Sequence, residues 1–223
     1  MTTLPQNLLP DHASVADDGS LMIGGVRVAD LAAEFGTPLF IYDEQHLRSR
    51  CREAVEAFGH QSAVYATKAF LCRAMAELAY SEGMMLDVAS GGELHIALSA
   101  GVPASACVLH GNNKSVAELT MAIDAGVHRI VVDSFDEIDR LERLAELSRA
   151  PIPPVLLRIT PGVSAHTHEF ISTGQNDSKF GFNLENGDAL IAVERVSASS
   201  VLTLIGVHSV SYTHLTLPTR LMV

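Results

Sequence analysis

Met84-Met85-Leu86-Asp87-Val88-Ala89-Ser90-Gly91-Gly92-Glu93-Leu94 passes from one structural period to another within a single short stretch. The run Met84 to Val88 reads as a buried strand, and Ser90-x-x-Glu93 reads as a capping box that opens a helix. A strand that feeds at once into a helix is the first part of a βαβ unit, and its last side chains are delivered to the turn between the two. Here that turn receives Asp87.

The same grammar repeats in both directions. Expected strands are Leu39 to Tyr42, Ala63 to Thr67, Met84 to Val88, Cys107 to His110, Arg129 to Asp133, Val155 to Ile159 and Leu202 to Val207. Between them lie helical patterns such as Leu47, Cys51, Val55, Phe58 and Phe135, Ile138, Leu141, Leu144. Ser115-x-x-Glu118 and Ser134-x-x-Glu137 are further capping boxes, and Gly101 and Gly126 stand where left-handed helix ends are wanted. The middle units recur about every 21 to 25 residues, the length of a strand plus a helix with short loops.

Such a succession predicts a parallel α/β sheet, doubly wound or closed. No Gly-x-Gly-x-x-Gly opens the first strand-to-helix turn, which argues against a dinucleotide site. Residues able to do chemistry collect instead at many strand ends: Lys68, Asp87, His110, Asp133, Arg158 and His208. That distribution predicts a (β/α)8 TIM-type barrel, incomplete, with about seven of its eight strands countable. Residues 1–36 read as an N-terminal extension, 37–209 as the partial barrel and 210–223 as a separate tail.

Composition narrows the function. Of 223 residues, 48% are hydrophobic, enough for a substantial core. The net charge of −11, from 15 basic and 26 acidic residues without a basic run, makes nucleic acid and anionic membrane poor partners. No apolar run approaches the ~20 residues of a membrane span, and no signal peptide is visible. Cys51, Cys72 and Cys107 form no framework, so the expected setting is the reducing cytoplasm.

Lys68 ends the apolar run Val64-Tyr65-Ala66-Thr67-Lys68. Burial there would disfavour the ammonium form and leave an amine able to attack a carbonyl; a lysine that snorkels from a strand end is the ordinary alternative. Arg158, flanked by apolar residues, needs an anionic or acceptor partner, which a structural ion pair would supply as well as a ligand. His166 and His168 look metal-like but lie in a polar, glycine-containing loop without a third positioned ligand, so no metal site is expected.

Tyr65-Ala66-Thr67-Lys68-Ala69 resembles the Schiff-base motif of the fold-type III pyridoxal-phosphate enzymes, the alanine-racemase-like barrels that include the basic amino-acid decarboxylases. Within them the chain is most similar to the diaminopimelate decarboxylases. The other matching pieces are Leu86 to Leu94, His110-Gly111-Asn112-Asn113-Lys114-Ser115, Leu157 to Val163, and the stretch from His166 through Gly174-Gln175 to Phe182. The resemblance implies pyridoxal 5'-phosphate as cofactor, with Lys68 as the lysine that carries it. Asp87 and Glu93 match acidic positions near the cofactor ring and the lysine. Arg158 matches an arginine that approaches the pyridoxal, and His208 the first histidine of the seventh-strand motif. It further implies decarboxylation of meso-diaminopimelate to L-lysine and carbon dioxide by a homodimer. A sister decarboxylase of ornithine, arginine or carboxynorspermidine stands as one alternative, and a non-catalytic cofactor-binding barrel remnant as another. The resemblance runs in order from about Ser20 to Ser209 and stops there. Residues from about Val210 onward are expected to be artefactual, the eighth strand and the C-terminal β-domain of the family to be absent, and the chain alone to be a poor enzyme.

Overall fold

The computed structural model describes residues 8–148, 150–162 and 180–209. His166, His168, most of the Thr173 to Phe182 motif and the tail from Val210 lie outside the described residues. The described chain forms two compact units. One holds the residues up to Ala63 together with Ser81–Met84, and the other holds Val64–Tyr80 and the residues from Met85 on.

In the first unit, β1 (Ser14–Val15), β2 (Leu21–Ile23) and β3 (Val26–Arg27) make a small antiparallel meander beside α1 (Val28–Phe35). Helix α2 (Glu44–Phe58) is capped by Asp43, whose side chain accepts from the His46 N–H. Arg48 and Arg52 of α2 both donate to Glu82, which fastens the Ser81–Met84 segment into this unit. Two expectations fail here. Leu39 to Tyr42 pairs with no strand among the described residues and runs irregularly into the α2 cap, and of the predicted apolar stripe on α2 only Cys51 is buried.

The second unit carries the parallel sheet. Strands β4 (Val64–Ala66), β5 (Met85–Val88), β6 (Cys107–Leu109), β7 (Arg129–Val132), β8 (Val155–Thr160) and β10 (Leu204–His208) lie side by side in chain order, all parallel. The short β9 (Phe182–Asn183) pairs with β8 away from this path. Helices α3 (Arg73–Ser81), α4 (Gly91–Ser99), α5 (Val116–Ala125), α6 (Phe135–Leu147) and α7 (Asp188–Ala198) alternate with the strands. The parallel α/β barrel-type architecture is therefore present. Among the described residues six strands form its continuous path, and the Leu39 to Tyr42 run is not one of them.

Period-two alternation explains how this sheet makes a site. Leu86, Val88, Leu109, Ile130, Val132 and Leu157 point to one face and are fully buried. The helices supply the cover: α4 packs on β5 and β6, α7 packs on β8, and α6 buries Ile138, Leu141 and Leu144. On the other face Met85, Val108 and Val131 form a cluster with Leu156 packed against it. Two residues further along each of these strands, on that same face, come Asp87, His110, Asp133 and Arg158. In β10, Gly206 occupies the apolar level, where an added Cβ would meet Leu156 Cδ2 at 3.3 Å, and His208 lies level with Arg158. An apolar layer thus underlies a polar one at the C-terminal ends of the strands, the place where parallel barrels build their sites.

The expected serine caps open α4, α5 and α6, and their glutamates differ in which amide they reach. Ser115 and Glu118 make the full reciprocal box on α5. At α4 and α6 the serine accepts from the N3 amide as expected, but the glutamate reaches one residue further back. Glu93 accepts from Ala89 N–H, and Glu137 from Asp133 N–H. Both glutamates therefore fix strand-to-helix turns that border the polar layer.

Candidate active site

Lys68 does not arrive as a buried strand residue. Strand β4 stops at Ala66, and Thr67–Ala69 form one 3-10 turn. Thr67 is buried and its hydroxyl donates to the Asp87 carbonyl at 2.7 Å, while the Tyr65 hydroxyl donates to the Phe70 carbonyl at 2.7 Å. Those two bonds hold the turn, and Lys68 between them is exposed. Of the two readings of this lysine, a buried amine and an exposed strand-end side chain, the structure shows the second. From this turn Lys68 acts electrostatically on the Asp87 carboxylate.

Asp87 is mostly buried. Loss of water pushes its carboxyl up to about 6; Lys68 and Arg158 pull it down, and Glu93 adds to the rise. His110 Nε2 lies 3.8 Å from Asp87 Oδ1. The contact has ion-pair geometry but not ion-pair chemistry. Burial, reinforced by His208, Lys114, Arg158 and Lys68, drives the His110 imidazole down to about 3. Burial pushes both groups toward their neutral forms, Asp87 up and His110 down, which works against an ion pair between them. The geometry alone would count a salt bridge; the burial of both groups decides against it.

The His110 and His208 rings meet edge to face, with centroids 4.9 Å apart. The His208 pKa is also lowered, first by burial and then by Arg158, with Asp133 opposing. Its Nδ1 is buried and has no hydrogen-bond partner among the described residues. A buried imidazole nitrogen left unpaired is costly, and a site with one is suited to a ligand that supplies the missing partner.

Arg158 is buried, and the open choice between structural pair and site residue resolves toward both. Nη1 donates to Asp133 Oδ1 at 3.2 Å, and the guanidinium carbon lies 4.4 Å from the Phe180 ring centroid. Yet Arg158 also stands level with His208 in the β8–β10 register and acts electrostatically on Asp87, His110 and His208. Glu93 is half-buried on the first turn of α4, where its Oε2 accepts from Ala89 N–H.

A buried ion pair supports the strand-end turns. Lys114 is buried, and its Nζ donates to Gly111 O at 2.7 Å, Val131 O at 2.6 Å and Glu137 Oε1 at 2.7 Å. An ammonium has three protons, and all three are used. Burial lowers the Lys114 pKa and raises that of Glu137, each against the pull of its partner. The pair holds the turn after His110. At Gly111, with φ +111°, an added Cβ would sit 2.9 Å from Ala89 O, so this turn lies directly on the β5–α4 turn. No sequence period marks such a lysine; only its place in the His110-to-Ser115 motif drew notice. Among the described residues no cluster of three or more metal-ligating side chains occurs.

An amine, a carboxyl with a raised pKa, two imidazoles with lowered pKa values and a guanidinium thus stand at the strand ends of a parallel barrel-type sheet. The chain belongs to the pyridoxal-dependent decarboxylases, for residues 44–210 match the pyridoxal-binding domain of that family. It is 50% identical over 207 residues to the diaminopimelate decarboxylase of Mycobacterium tuberculosis, covering 92% of this chain and 46% of that protein. With the Bacillus subtilis diaminopimelate decarboxylase it shares 51% over 194 residues, covering 85% and 44%. The crystal structure of the diaminopimelate decarboxylase from M. jannaschii in complex with L-lysine superimposes with a TM-score of 0.78 at 34% identity, over 90% of this chain and 48% of that one. The chain thus spans about half the length of the relatives it matches.

Proposed function

We propose that this chain holds pyridoxal 5'-phosphate at the strand-end cluster and serves the decarboxylation of meso-diaminopimelate to L-lysine and carbon dioxide. The observation that carries the reading is the single polar layer made by Asp87, His110, Arg158 and His208 beside the Lys68 turn. About half of the aligned positions are shared with diaminopimelate decarboxylases, which supports the choice of substrate.

Lys68 would hold the cofactor through its amine, and Arg158 and His208 would flank it. The bound cofactor supplies an electron sink for the pair of electrons left when a carboxylate departs as carbon dioxide. The chain's own residues prepare the ground. Asp87 is ionised above about pH 6 and keeps a proton acceptor within electrostatic reach of Lys68, which must shed a proton before it can attack a carbonyl. His110 and His208 are neutral at physiological pH and present uncharged rings beside the guanidinium, so the positive charge of the layer stays on Arg158. Glu93 holds the Ala89 turn and adds negative charge near Asp87. By the same family likeness the working form is a cytoplasmic homodimer; a monomer in sedimentation of the active protein would contradict that part.

The test is a titration of the purified protein with pyridoxal phosphate, followed by absorbance of the bound cofactor. Saturable binding that Lys68→Ala abolishes is expected. Equal binding by wild type and Lys68→Ala would remove the assignment of the lysine.

A further inference from the structure

Asp133 itself lies outside the stretches that carry the family resemblance, yet its carboxylate is almost wholly buried and both oxygens are engaged. Oδ1 accepts from Arg158 Nη1 at 3.2 Å, and Oδ2 accepts from the Gly181 N–H at 3.0 Å. Its own amide donates to Glu137 Oε2 at 3.2 Å, so the carboxylate stands on an anchored backbone. Gly181 has φ +72°, and an added Cβ there would come within 2.6 Å of Arg158 O. The Phe180–Gly181 segment therefore lies on the arginine's own backbone, with the Phe180 ring on its guanidinium. One buried carboxylate holds both the arginine and the segment lying against it.

We infer that Asp133 is a positioning residue for the cofactor: it fixes the Arg158 guanidinium in one orientation and joins that orientation to the docking of Gly181. This rests on the reading that Arg158 faces pyridoxal phosphate. An arginine has many rotamers, and a charge-assisted bond plus an aromatic face leaves it few, so less order has to be imposed when an anionic group binds. The charge matters as well as the shape. Asp133 and Arg158 act in opposite senses on His208, so losing one unbalances the field at the buried imidazole.

The experiment is a double-mutant cycle read as the dissociation constant of pyridoxal phosphate, measured by fluorescence quenching, with Asp133→Asn, Arg158→Gln and the pair. Asp133→Asn is expected to weaken cofactor binding about tenfold in the wild-type background and to add nothing further once Arg158 is Gln. A general structural role would cost the same in both backgrounds and would overturn the inference, as would an Asp133→Asn protein that binds like wild type. If Arg158→Gln itself binds the cofactor normally, the placement of Arg158 fails and this inference falls with it, while Lys68 binding remains separately testable. Should Asp133→Asn not fold, hydrogen exchange in the wild-type protein decides. Cofactor loading is expected to slow exchange of the Gly181 amide about tenfold; unchanged exchange overturns the link.

Discussion

Lys114→Met is the perturbation whose cost can be worked most fully from the structure. The Lys114 side chain is 1% exposed and that of Glu137 3%, so neither charge has solvent to fall back on. Removal of Nζ deletes three hydrogen bonds at 2.6–2.7 Å and leaves a buried carboxylate unpaired. Breaking one side of a buried pair costs about 3–5 kcal/mol. For a domain of this size that lowers the melting temperature by roughly 6–20 °C. The double variant Lys114→Met, Glu137→Leu removes both charges and should recover most of the loss. Burial shifts both pKa values toward the neutral forms, so desolvation opposes the pair that the attraction holds together. Urea unfolding of wild type, the single variant and the double variant is the assay. A Lys114→Met protein within about 1 kcal/mol of wild type would refute the reasoning, and so would a double variant as unstable as the single.

Further outcomes follow from the same layer. Asp87, raised from 3.8 to about 6, gives stability that is full below pH 4 and is lost as pH rises through 6, so Asp87→Asn should gain on wild type between those values in pH-dependent unfolding. His110, lowered from 6.5 to about 3, acts in the opposite sense, its contribution being full above pH 6.5 and lost as pH falls toward 3; the variant comparison is needed because the wild-type curve contains both. Gly181→Ala should lose about 1–2 kcal/mol from its left-handed backbone alone and more from contact with the Arg158 carbonyl, seen as a lower urea midpoint. Ser115→Ala removes one side of the reciprocal cap on α5 and should cost about 1 kcal/mol by the same measurement, with cofactor binding unchanged.

The sequence places Asp87, Arg158 and His208 near the C-terminal ends of apolar runs, and strand ends of a parallel sheet converge by topology. The apolar run Leu39 to Tyr42 misled for the reason that short apolar runs generally do: composition marks burial or extension, not pairing. The surroundings of Lys68 are not legible in the sequence. Nothing in the pentapeptide announces that the Thr67 hydroxyl will bind the Asp87 carbonyl and turn the chain after two residues. The glutamates of the capping motifs were recognised as caps, but the motif does not say which amide they reach, and the offset to Ala89 and Asp133 is what ties them to the site. Lys114 and Glu137 lie 23 residues apart, on the β6–α5 turn and in α6, and only strand register brings them together.

The most direct test is the product of the reaction. The whole protein carrying this barrel, loaded with pyridoxal phosphate, is offered meso-diaminopimelate, ornithine and arginine separately, and released carbon dioxide and the amine product are measured with and without Lys68→Ala. The account predicts L-lysine and carbon dioxide from meso-diaminopimelate, far faster than turnover of the other two, and none from the Lys68→Ala protein. Faster release from ornithine or arginine, or undiminished turnover without Lys68, would contradict it.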